Sequence, residues 1–241
     1  IKTRAVRAGD AYTINGQKTF ISNGQLADLV VTACKTDVEA GAKGISLLLV
    51  QRGDEGFERG RNLKKVGWPA QDTSELFFNE VEVPVDRLLG EENGGFKILM
   101  HELAQERLLV AIRSASNIEA ALEQTVAYTK DREAFGKNIF GFQNTRFKLA
   151  EIKTRATVVR TFVDRCMELH MAGDLDADDA AMAKLYATEI LCEVLDECVQ
   201  LHGGYGYMWE YPIARAWAGH RITRIAGGSS EIMKEIISRT L

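Results

Sequence analysis

The spacing of hydrophobic positions changes near residue 90. Before it, short apolar runs alternate with glycines, charged residues and turn residues, which is typical of β strands. Apolar runs bounded by such breaks predict three strands: Leu29–Cys34, Ile45–Val50 and Leu76–Pro84. The last strand is expected to end in a turn at Pro84, because proline has no backbone N–H to donate to a sheet.

The segment Tyr12–Ile21 contains an Asn-Gly pair, which is the strongest short-range signal for a hairpin. Asn15-Gly16 separates two strand-like runs, and this dipeptide favours the turns that connect the strands of a hairpin. A second Asn-Gly pair, Asn23-Gly24, ends the run. The sequence therefore predicts a β-hairpin that turns at Asn15-Gly16.

Beyond residue 90 the pattern is that of long helices. The chain has 3 prolines and residues 85–211 contain none of them, so this span is free of the commonest helix breaker. Asp176 is a suitable N-cap, and Gly203-Gly204 is a suitable helix end. Helices are predicted over residues 95–131, 143–172, 177–202, 210–222 and 229–240. The predicted fold class is α+β: a β domain over residues 1–90, as a small barrel or sandwich, followed by an antiparallel helical bundle over residues 91–241.

Composition argues against several classes of function. The 241 residues are 46% hydrophobic, and a formal charge of −4 gives no basic footprint for nucleic acid. No apolar run has the length of a membrane span, and the 4 cysteines lack metal-ligand spacing, so no metal site is predicted. These thiols are expected to be reduced. Ile1 is not an initiator methionine, and we expect residues to precede it in the natural protein.

The first predicted helix carries a carboxylate within an apolar stripe. Leu103 and Val110 follow helical spacing, and Glu106 lies between them at the same spacing. A carboxylate that faces an apolar interior is costly unless it is paired, protonated or used in catalysis. Glu106 is therefore either a structural residue paired with Arg107 or another partner, or a catalytic base in a water-poor pocket. Glu102, one turn earlier, is a rival base.

Two loops combine glycine with groups that bind phosphates or flat rings. In Arg132–Lys137, the arginine can hold a phosphate through two hydrogen bonds and Phe135 can cover a ring. An ordinary capped loop between helices is the alternative. In Gln200–Tyr207, three glycines let the backbone approach a flat or phosphorylated group, or form a tight turn packed by the tyrosines. His202 is expected to pack or cap rather than to catalyse.

Two further stretches also have a chemical and a structural interpretation. Ile225–Met233 predicts a glycine turn that enters a helix capped by Ser229 or Ser230. Exposed amides at such a start can hold an anion or a carbonyl oxygen, or the segment is only a well-capped terminal helix. Phe20–Asn23 ends a strand with an aromatic ring and a hydroxyl, which core packing and a turn also explain.

Five stretches occur in a characteristic order along the chain: Asn15–Gly24, Gly67–Thr73, Arg132–Lys137, Gln200–Gly206 and Gly228–Ile232. In this order they resemble the acyl-CoA dehydrogenase family, and the long-chain type in particular. The resemblance covers essentially all 241 residues, as the middle β domain and the C-terminal helical domain of that family. The family's N-terminal helical domain and its first strand segment have no counterpart in the chain.

The resemblance implies an enzyme that binds FAD between subunits of a homodimer or homotetramer and oxidises a fatty acyl-CoA thioester to its trans-2-enoyl form. In the family, a carboxylate removes the α-proton while the β-hydrogen leaves as hydride to flavin N5. The implied FAD contacts are Phe20, Ser22, Arg132, Phe135, Gln143, Gln200, Gly204, Ser229 and Glu231. At the positions of Phe20 and Ser22, the family more often has Trp and Thr.

One departure from the family pattern identifies the implied base. Most members carry the catalytic Glu immediately before the Gly of the C-terminal motif, where this chain has Gly227. Isovaleryl-type and long-chain-type members share this glycine and carry the base on the first long helix of the C-terminal domain, which matches Glu106. The Gly227 amide is implied to bind the thioester carbonyl. The implied substrate contacts are Gln105, Arg107, Gly227 and Gly228.

Two other functions remain as alternatives: an acyl-CoA oxidase-like relative that passes electrons to oxygen, and a flavin-binding relative without turnover. The combination of Glu106 with Gly227 argues against the second, because a non-catalytic copy has no need of it. The resemblance implies an electron-transfer flavoprotein as acceptor. A bacterial cytoplasm and a mitochondrial matrix both suit the thiols.

Overall fold

A computed structural model describes residues 1–241 and divides into two compact units, Ile1–Glu102 and Leu103–Leu241. The first unit contains a β-sheet and the start of a long helix, and the second contains the rest of that helix and four more. The predicted α+β class is confirmed. The predicted domain boundary between residues 90 and 91 stays a prediction.

The first unit is built on one mixed sheet of seven strands. The strands are β1 (Arg4–Ala8), β2 (Ala11–Ser22), β3 (Leu29–Lys35), β4 (Ile45–Gln51), β5 (Phe57–Asn62), β6 (Thr73–Pro84) and β7 (Leu88–Leu89). Their order across the sheet is β5-β6-β2-β1-β3-β4-β7. Only β1 and β3 pair in parallel, and all other neighbours are antiparallel. The three strands predicted from apolar runs are confirmed as β3, β4 and β6.

The predicted hairpin at Asn15-Gly16 is wrong. Strand β2 continues through this pair, because it is held along its length by β6, from Ala11 opposite Pro84 to Ser22 opposite Thr73. Asn15-Gly16 forms an irregularity in that pairing, with Gly16 at φ 141°. A long-range partner strand therefore overrides the local turn preference.

The actual first hairpin turns at Gly9-Asp10, between β1 and β2. Gly9 has φ 60°, which glycine adopts without the steric cost of a Cβ.

Alternate residues of β2 anchor the sheet to its core. Tyr12 and Ile14 are fully buried and pack with Leu48 and Val50 of β4 in one cluster. Burying a side chain of this size stabilises a fold by about 1.5–3 kcal/mol relative to leaving it exposed. The Tyr12 hydroxyl donates a hydrogen bond to Glu92 Oε2 at 2.8 Å, which satisfies its polar end inside the core.

Five helices follow, close to the predicted spans: α1 (Gly95–Asp131), α2 (Gln143–Ala172), α3 (Ala177–His202), α4 (Pro212–His220) and α5 (Ser230–Ser238). The predicted N-cap is confirmed, since the Asp176 carboxylate accepts hydrogen bonds from the amides of Asp178 and Asp179. Gly203 follows the last residue of α3 at φ 59°, as predicted for a helix end. A small hairpin, β8 (Glu133–Ala134) and β9 (Lys137–Asn138), connects α1 to α2.

Helix α3 is the central element of the second unit. It contacts α2, α4 and α5 and contributes twelve buried residues. Leu191, Val194 and Leu195 lie in the same core cluster as the inward face of α1. None of the helices combines the length and the apolar character that crossing a membrane requires.

Candidate active site

Glu106 lies on α1 with its side chain exposed, and this corrects the expectation of a water-poor pocket within the chain. The buried stripe of α1 runs through Leu108, Ala111, Ala115 and Ile118 at helical spacing. It is therefore displaced by one or two residues from the predicted stripe. Because successive helical residues are about 100° apart, this displacement turns Glu106 outward.

Arg107, the next residue, points inward. Its side chain is buried, and its Nε has no hydrogen-bond partner. Burial lowers the Arg107 pKa, and the nearby charge of Glu106 opposes that shift. No ion pair joins the two residues, so the structural interpretation of Glu106 as half of a tight pair is not met. Glu102, the rival base, is exposed and lies 2.9 Å from His101 Nδ1.

The Gly227-Gly228 turn lies against α1. A Cβ on Gly227 would lie 3.9 Å from Val110 Cγ2 and closer to no other neighbour. Val110 is one helical turn beyond Glu106, so the turn faces the part of α1 that carries this carboxylate. Both glycines have positive φ, 68° for Gly227 and 97° for Gly228, which explains why glycine occupies both positions. There is open space beside Gly227.

The turn leads directly into α5. Of the two serines considered, Ser229 is the N-cap, and its hydroxyl oxygen accepts a hydrogen bond from the Ile232 amide at 3.4 Å. Ser230 is buried instead. The exposed Glu231 lies in the first turn of the helix, where hydrogen bonds from its own amide and from Ser229 lower its pKa.

Sequence reasoning missed Lys184 of α3, which contacts the same turn from the interior. The lysine is fully buried, and its Nζ donates a hydrogen bond to the Gly228 carbonyl oxygen at 2.5 Å. Burial lowers the Lys184 pKa, and the nearby positive charge of Arg107 lowers it further. A signal was available in the sequence: Lys184 stands in a buried helical stripe with Ala180, Ala187 and Leu191.

Three of the predicted cofactor contacts line one cleft of about 700 Å³ in the second unit. Arg132, Gln200 and Gly204 all border it. The Arg132 guanidinium lies 5.7 Å from the centre of the Tyr205 ring. Cβ atoms on Gly203 or Gly204 would meet nothing within 4 Å, so the backbone there is open to a bound group. An open glycine backbone beside a guanidinium fits a flat, phosphorylated ligand.

The wall of this cleft is an aromatic stack. His202 is buried, its ring stacks on Tyr128 at 4.2 Å, and its Nδ1 lies 2.7 Å from the Cys198 carbonyl oxygen. Tyr128 in turn donates a hydrogen bond to the His202 carbonyl oxygen at 3.0 Å. The packing role expected for His202 is confirmed.

The other predicted contacts lie outside this cleft. Phe135 is 96% exposed at the tip of the β8–β9 hairpin, with φ 53°, and Gln143 is exposed at the first position of α2. In the first unit, Phe20 and Ser22 are exposed near the end of β2, and Phe20 has φ 63°. Gln105 is exposed beside Glu106. No three or more His, Cys, Asp or Glu side chains are grouped as a metal site would need.

Comparison with known proteins identifies the family of the chain. The sequence matches the family described as "Acyl-CoA dehydrogenase, middle domain" over residues 1–81. It matches "Acyl-CoA dehydrogenase, C-terminal domain" over residues 93–241. The chain belongs to the acyl-CoA dehydrogenase family. The members of this family are FAD flavoproteins, which agrees with the ligand that the cleft fits.

Individual acyl-CoA dehydrogenases extend the likeness over the whole chain. The mitochondrial long-chain specific acyl-CoA dehydrogenase of Mus musculus is 51% identical over 243 residues, which are 100% of this chain and 56% of the relative. The crystal structure of an acyl-CoA dehydrogenase from Geobacillus kaustophilus has a TM-score of 0.97 at 52% identity. The match covers 100% of this chain and 64% of that one.

A third relative is named as a subunit of a complex with a partner protein. "Caffeyl-CoA reductase-Etf complex subunit CarC" of Acetobacterium woodii is 37% identical over 241 residues, 100% of this chain and 64% of the relative. The predicted resemblance to acyl-CoA dehydrogenases of the long-chain type is confirmed. The chain spans little more than half the length of the mouse relative.

Proposed function

We propose that this protein is an FAD-dependent dehydrogenase that converts a fatty acyl-CoA thioester to trans-2-enoyl-CoA. The observation that carries the proposal is the contact between Gly227 and Val110. A glycine at the usual base position of the family lies against the helix that carries Glu106, one turn from that residue. This contact supports a long-chain arrangement, in which the base on α1 acts beside the glycine turn.

Glu106 is the proposed base that removes the α-proton. Its carboxylate is exposed and forms no ion pair, so a substrate can reach it. Leu103 and Val110, one turn to either side, are half-buried and offer an apolar surface for an acyl chain. A bound chain would exclude water from the carboxylate and make it a stronger base. The proton moves to a carboxylate oxygen, and the electron pair it leaves is shared with the thioester oxygen.

The Gly227 N–H is the proposed donor to that thioester oxygen. A donor fixed at an oxygen that gains negative charge stabilises the transition state more than the ground state. Gln105 and Arg107 are the further proposed substrate contacts. The buried Nε of Arg107 has no hydrogen-bond partner, so a substrate group that reached it would satisfy a costly unpaired donor.

FAD, when bound, accepts the electron pair that leaves with the β-hydrogen. Arg132, Gln200 and Gly204 are proposed to hold part of the cofactor in their common cleft, with Arg132 donating charge-assisted hydrogen bonds to phosphate. Phe135 and Gln143 are proposed to join Arg132 on the neighbouring subunit's cofactor. The remaining contacts proposed from the family resemblance are Phe20 and Ser22 by the ring system and Ser229 and Glu231 by the dinucleotide.

The electron acceptor and the assembly are part of the same proposal. An electron-transfer flavoprotein is the proposed acceptor, in line with the Etf complex that the Acetobacterium woodii relative is named for. A homodimer or homotetramer is proposed, because the exposed Phe135 and the open cleft suit a cofactor shared between subunits. The mouse relative is mitochondrial, and a mitochondrial matrix or a bacterial cytoplasm is the proposed compartment.

The test is acyl-CoA oxidation by the full-length, FAD-loaded protein over a range of chain lengths. We expect 2-enoyl-CoA to form with an electron-transfer flavoprotein or an artificial acceptor, with little peroxide in air. Peroxide as the main product would favour an acyl-CoA oxidase. Bound FAD without turnover of any chain length would favour a non-catalytic relative.

A further inference from the structure

Lys184 is the fully buried cation of α3, and no carboxylate lies within ion-pair distance of it. Glu189 and Glu231 attract it at longer range, while Arg107 repels it. The single hydrogen bond of its ammonium group is the one from Nζ to the Gly228 carbonyl oxygen. An ammonium group in this position is expensive to bury, and a methionine would fill a similar volume without that cost.

Lys184 contacts a glycine turn whose own residues do little to fix its backbone conformation. Gly227 and Gly228 are consecutive residues at φ 68° and 97°, and glycine can leave such conformations easily because it has no Cβ. The turn is limited on one side by the Ser229 cap and on the other by the Ala226 amide, which donates to the Ile222 carbonyl oxygen at 2.9 Å. Between these two points, Lys184 fixes the Gly228 carbonyl from the interior.

We propose that Lys184 is a positioning residue for the thioester carbonyl: by holding the Gly228 carbonyl inward, it keeps the preceding Gly227 N–H directed at the substrate. This inference rests on the proposed function, since it needs a thioester beside the turn. The two glycines have contacts with two different helices. The carbonyl of Gly228 faces Lys184 on α3, while Gly227 faces Val110 on α1.

A lysine suits this task because of its length and its charge. Its side chain is long enough to reach the turn from the buried face of α3, and a charged donor binds a carbonyl more strongly than a neutral one. The ammonium also puts a positive charge behind the turn, and this charge attracts the negative charge that the thioester oxygen gains as the α-proton leaves.

The test compares two ligands in the full-length, FAD-loaded Glu106→Gln protein, in which turnover does not interfere. One ligand is a saturated fatty acyl-CoA thioester, and the other is the matching thioether, which has CH₂ in place of the carbonyl. In this parent we expect the thioester to bind more tightly. Adding Lys184→Met should remove most of that preference, roughly tenfold for the loss of one well-placed hydrogen bond, while thioether affinity is kept.

Two further variants separate positioning from structural support. Thr188→Val removes a buried hydroxyl one turn along the same helix, which donates to the Lys184 carbonyl oxygen at 2.8 Å and does not contact the turn. We expect it to lower the unfolding free energy and to leave the thioester preference intact. Lys184→Gln keeps a donor on a shorter side chain and should restore part of the preference. If Lys184→Met fails to fold, the thioester and thioether affinities of Lys184→Gln decide whether Lys184 has a positioning role.

The outcomes distinguish this inference from the proposed function. An unchanged thioester preference in the folded Lys184 variants would overturn the role of Lys184 and leave the proposed function standing. Absence of any thioester preference in the Glu106→Gln parent would overturn both. A loss of preference in Thr188→Val as large as that in Lys184→Met would assign Lys184 to general stability and overturn its positioning role.

Discussion

Gly227 lies against Val110, with 3.9 Å between the position of a Cβ on the glycine and Cγ2 of the valine. Val110 follows Glu106 by one helical turn, so the contact brings the Gly227-Gly228 turn next to the part of α1 that carries the proposed base. The residues concerned are separated by more than a hundred positions in sequence. This relationship, rather than the burial of Glu106, is what supports an acyl-CoA dehydrogenase site of the long-chain type.

Substitution of the two glycines should have unequal costs. Gly227→Ala meets no atom closer than 3.9 Å, so its cost is the positive φ alone, about 1 kcal/mol of unfolding free energy. Gly228→Ala also brings the Cβ to 2.6 Å from Met233 Cε; this methyl ends a flexible side chain, but Met233 is fully buried, so we expect an added cost of about 1 kcal/mol. Urea unfolding of both variants measures the difference. Equal costs would contradict the different surroundings of the two glycines.

Arg132 should contribute more to FAD affinity than an equally exposed arginine elsewhere. Arg132→Ala removes the charged donor of the cleft, and we expect FAD to bind roughly 10- to 100-fold more weakly. Arg132→Lys should fall between, because lysine lacks the planar fork. The matched control is Arg165→Ala on α2, which breaks only an exposed pair with Glu168. The FAD dissociation constant, measured calorimetrically, checks all three, and unchanged affinity in Arg132→Ala would contradict the cleft assignment.

The buried His202 predicts that stability falls in mild acid. Burial lowers its pKa, and the hydrogen bond to the Cys198 carbonyl oxygen opposes that shift only in part. The unfolded chain therefore takes up this proton at a higher pH than the folded chain. Stability is complete above the unfolded pKa of about 6.5 and is lost as pH falls through the lower folded value.

Urea unfolding between pH 7 and pH 5.5 measures this dependence. Each histidine that takes up a proton only in the unfolded chain changes the unfolding free energy by up to about 1.4 kcal/mol per pH unit. His202→Asn should lower stability at pH 7, because it loses the Tyr128 stack, and should flatten the slope. Burial also lowers the pKa of His220, so His220 should preserve part of the pH dependence in this variant. A slope as steep in His202→Asn as in the parent would rule out His202 as a source.

The irregularity in β2 should depend on glycine at one position. A Cβ on Gly16 would lie 2.8 Å from Thr3 Cα, which is backbone and cannot move aside easily. Gly16→Ala is therefore expected to cost about 1–3 kcal/mol of unfolding free energy. Gly53→Ala is the matched control, since Gly53 also has positive φ but has nothing within 4 Å. A cost no larger at Gly16 than at Gly53 would contradict the pairing of β2 through this point.

Features set by neighbours in sequence were predictable. The first three helices follow from a proline-free span, and the ends of α3 follow from Asp176 and Gly203, which act within a turn of the helix end. The strand at Ile45–Gln51 follows from its own apolar run. For these elements, local preference and tertiary packing agree.

Features set by distant residues were not predictable in the same way. Asn15-Gly16 has the composition of a turn but lies in a strand, because β6 pairs along β2 from more than fifty residues away. Glu106 was expected to be buried, but it is exposed, because α1 packs into the bundle through the neighbouring stripe that contains Leu108. The hydrogen bond from Lys184 to Gly228 spans 44 residues, so no local pattern shows it.

The most direct test of the central claim is turnover by Glu106→Gln in the full-length, FAD-loaded protein. The variant keeps the size of the side chain and removes its ability to take a proton. We expect the rate of acyl-CoA oxidation to fall by at least about 100-fold while FAD stays bound, since general bases contribute about 10²–10⁴. Glu102→Gln, an exposed carboxylate earlier on the same helix, should remain active. Near-normal turnover in Glu106→Gln, or its loss in Glu102→Gln instead, would contradict the assignment of Glu106 as the base.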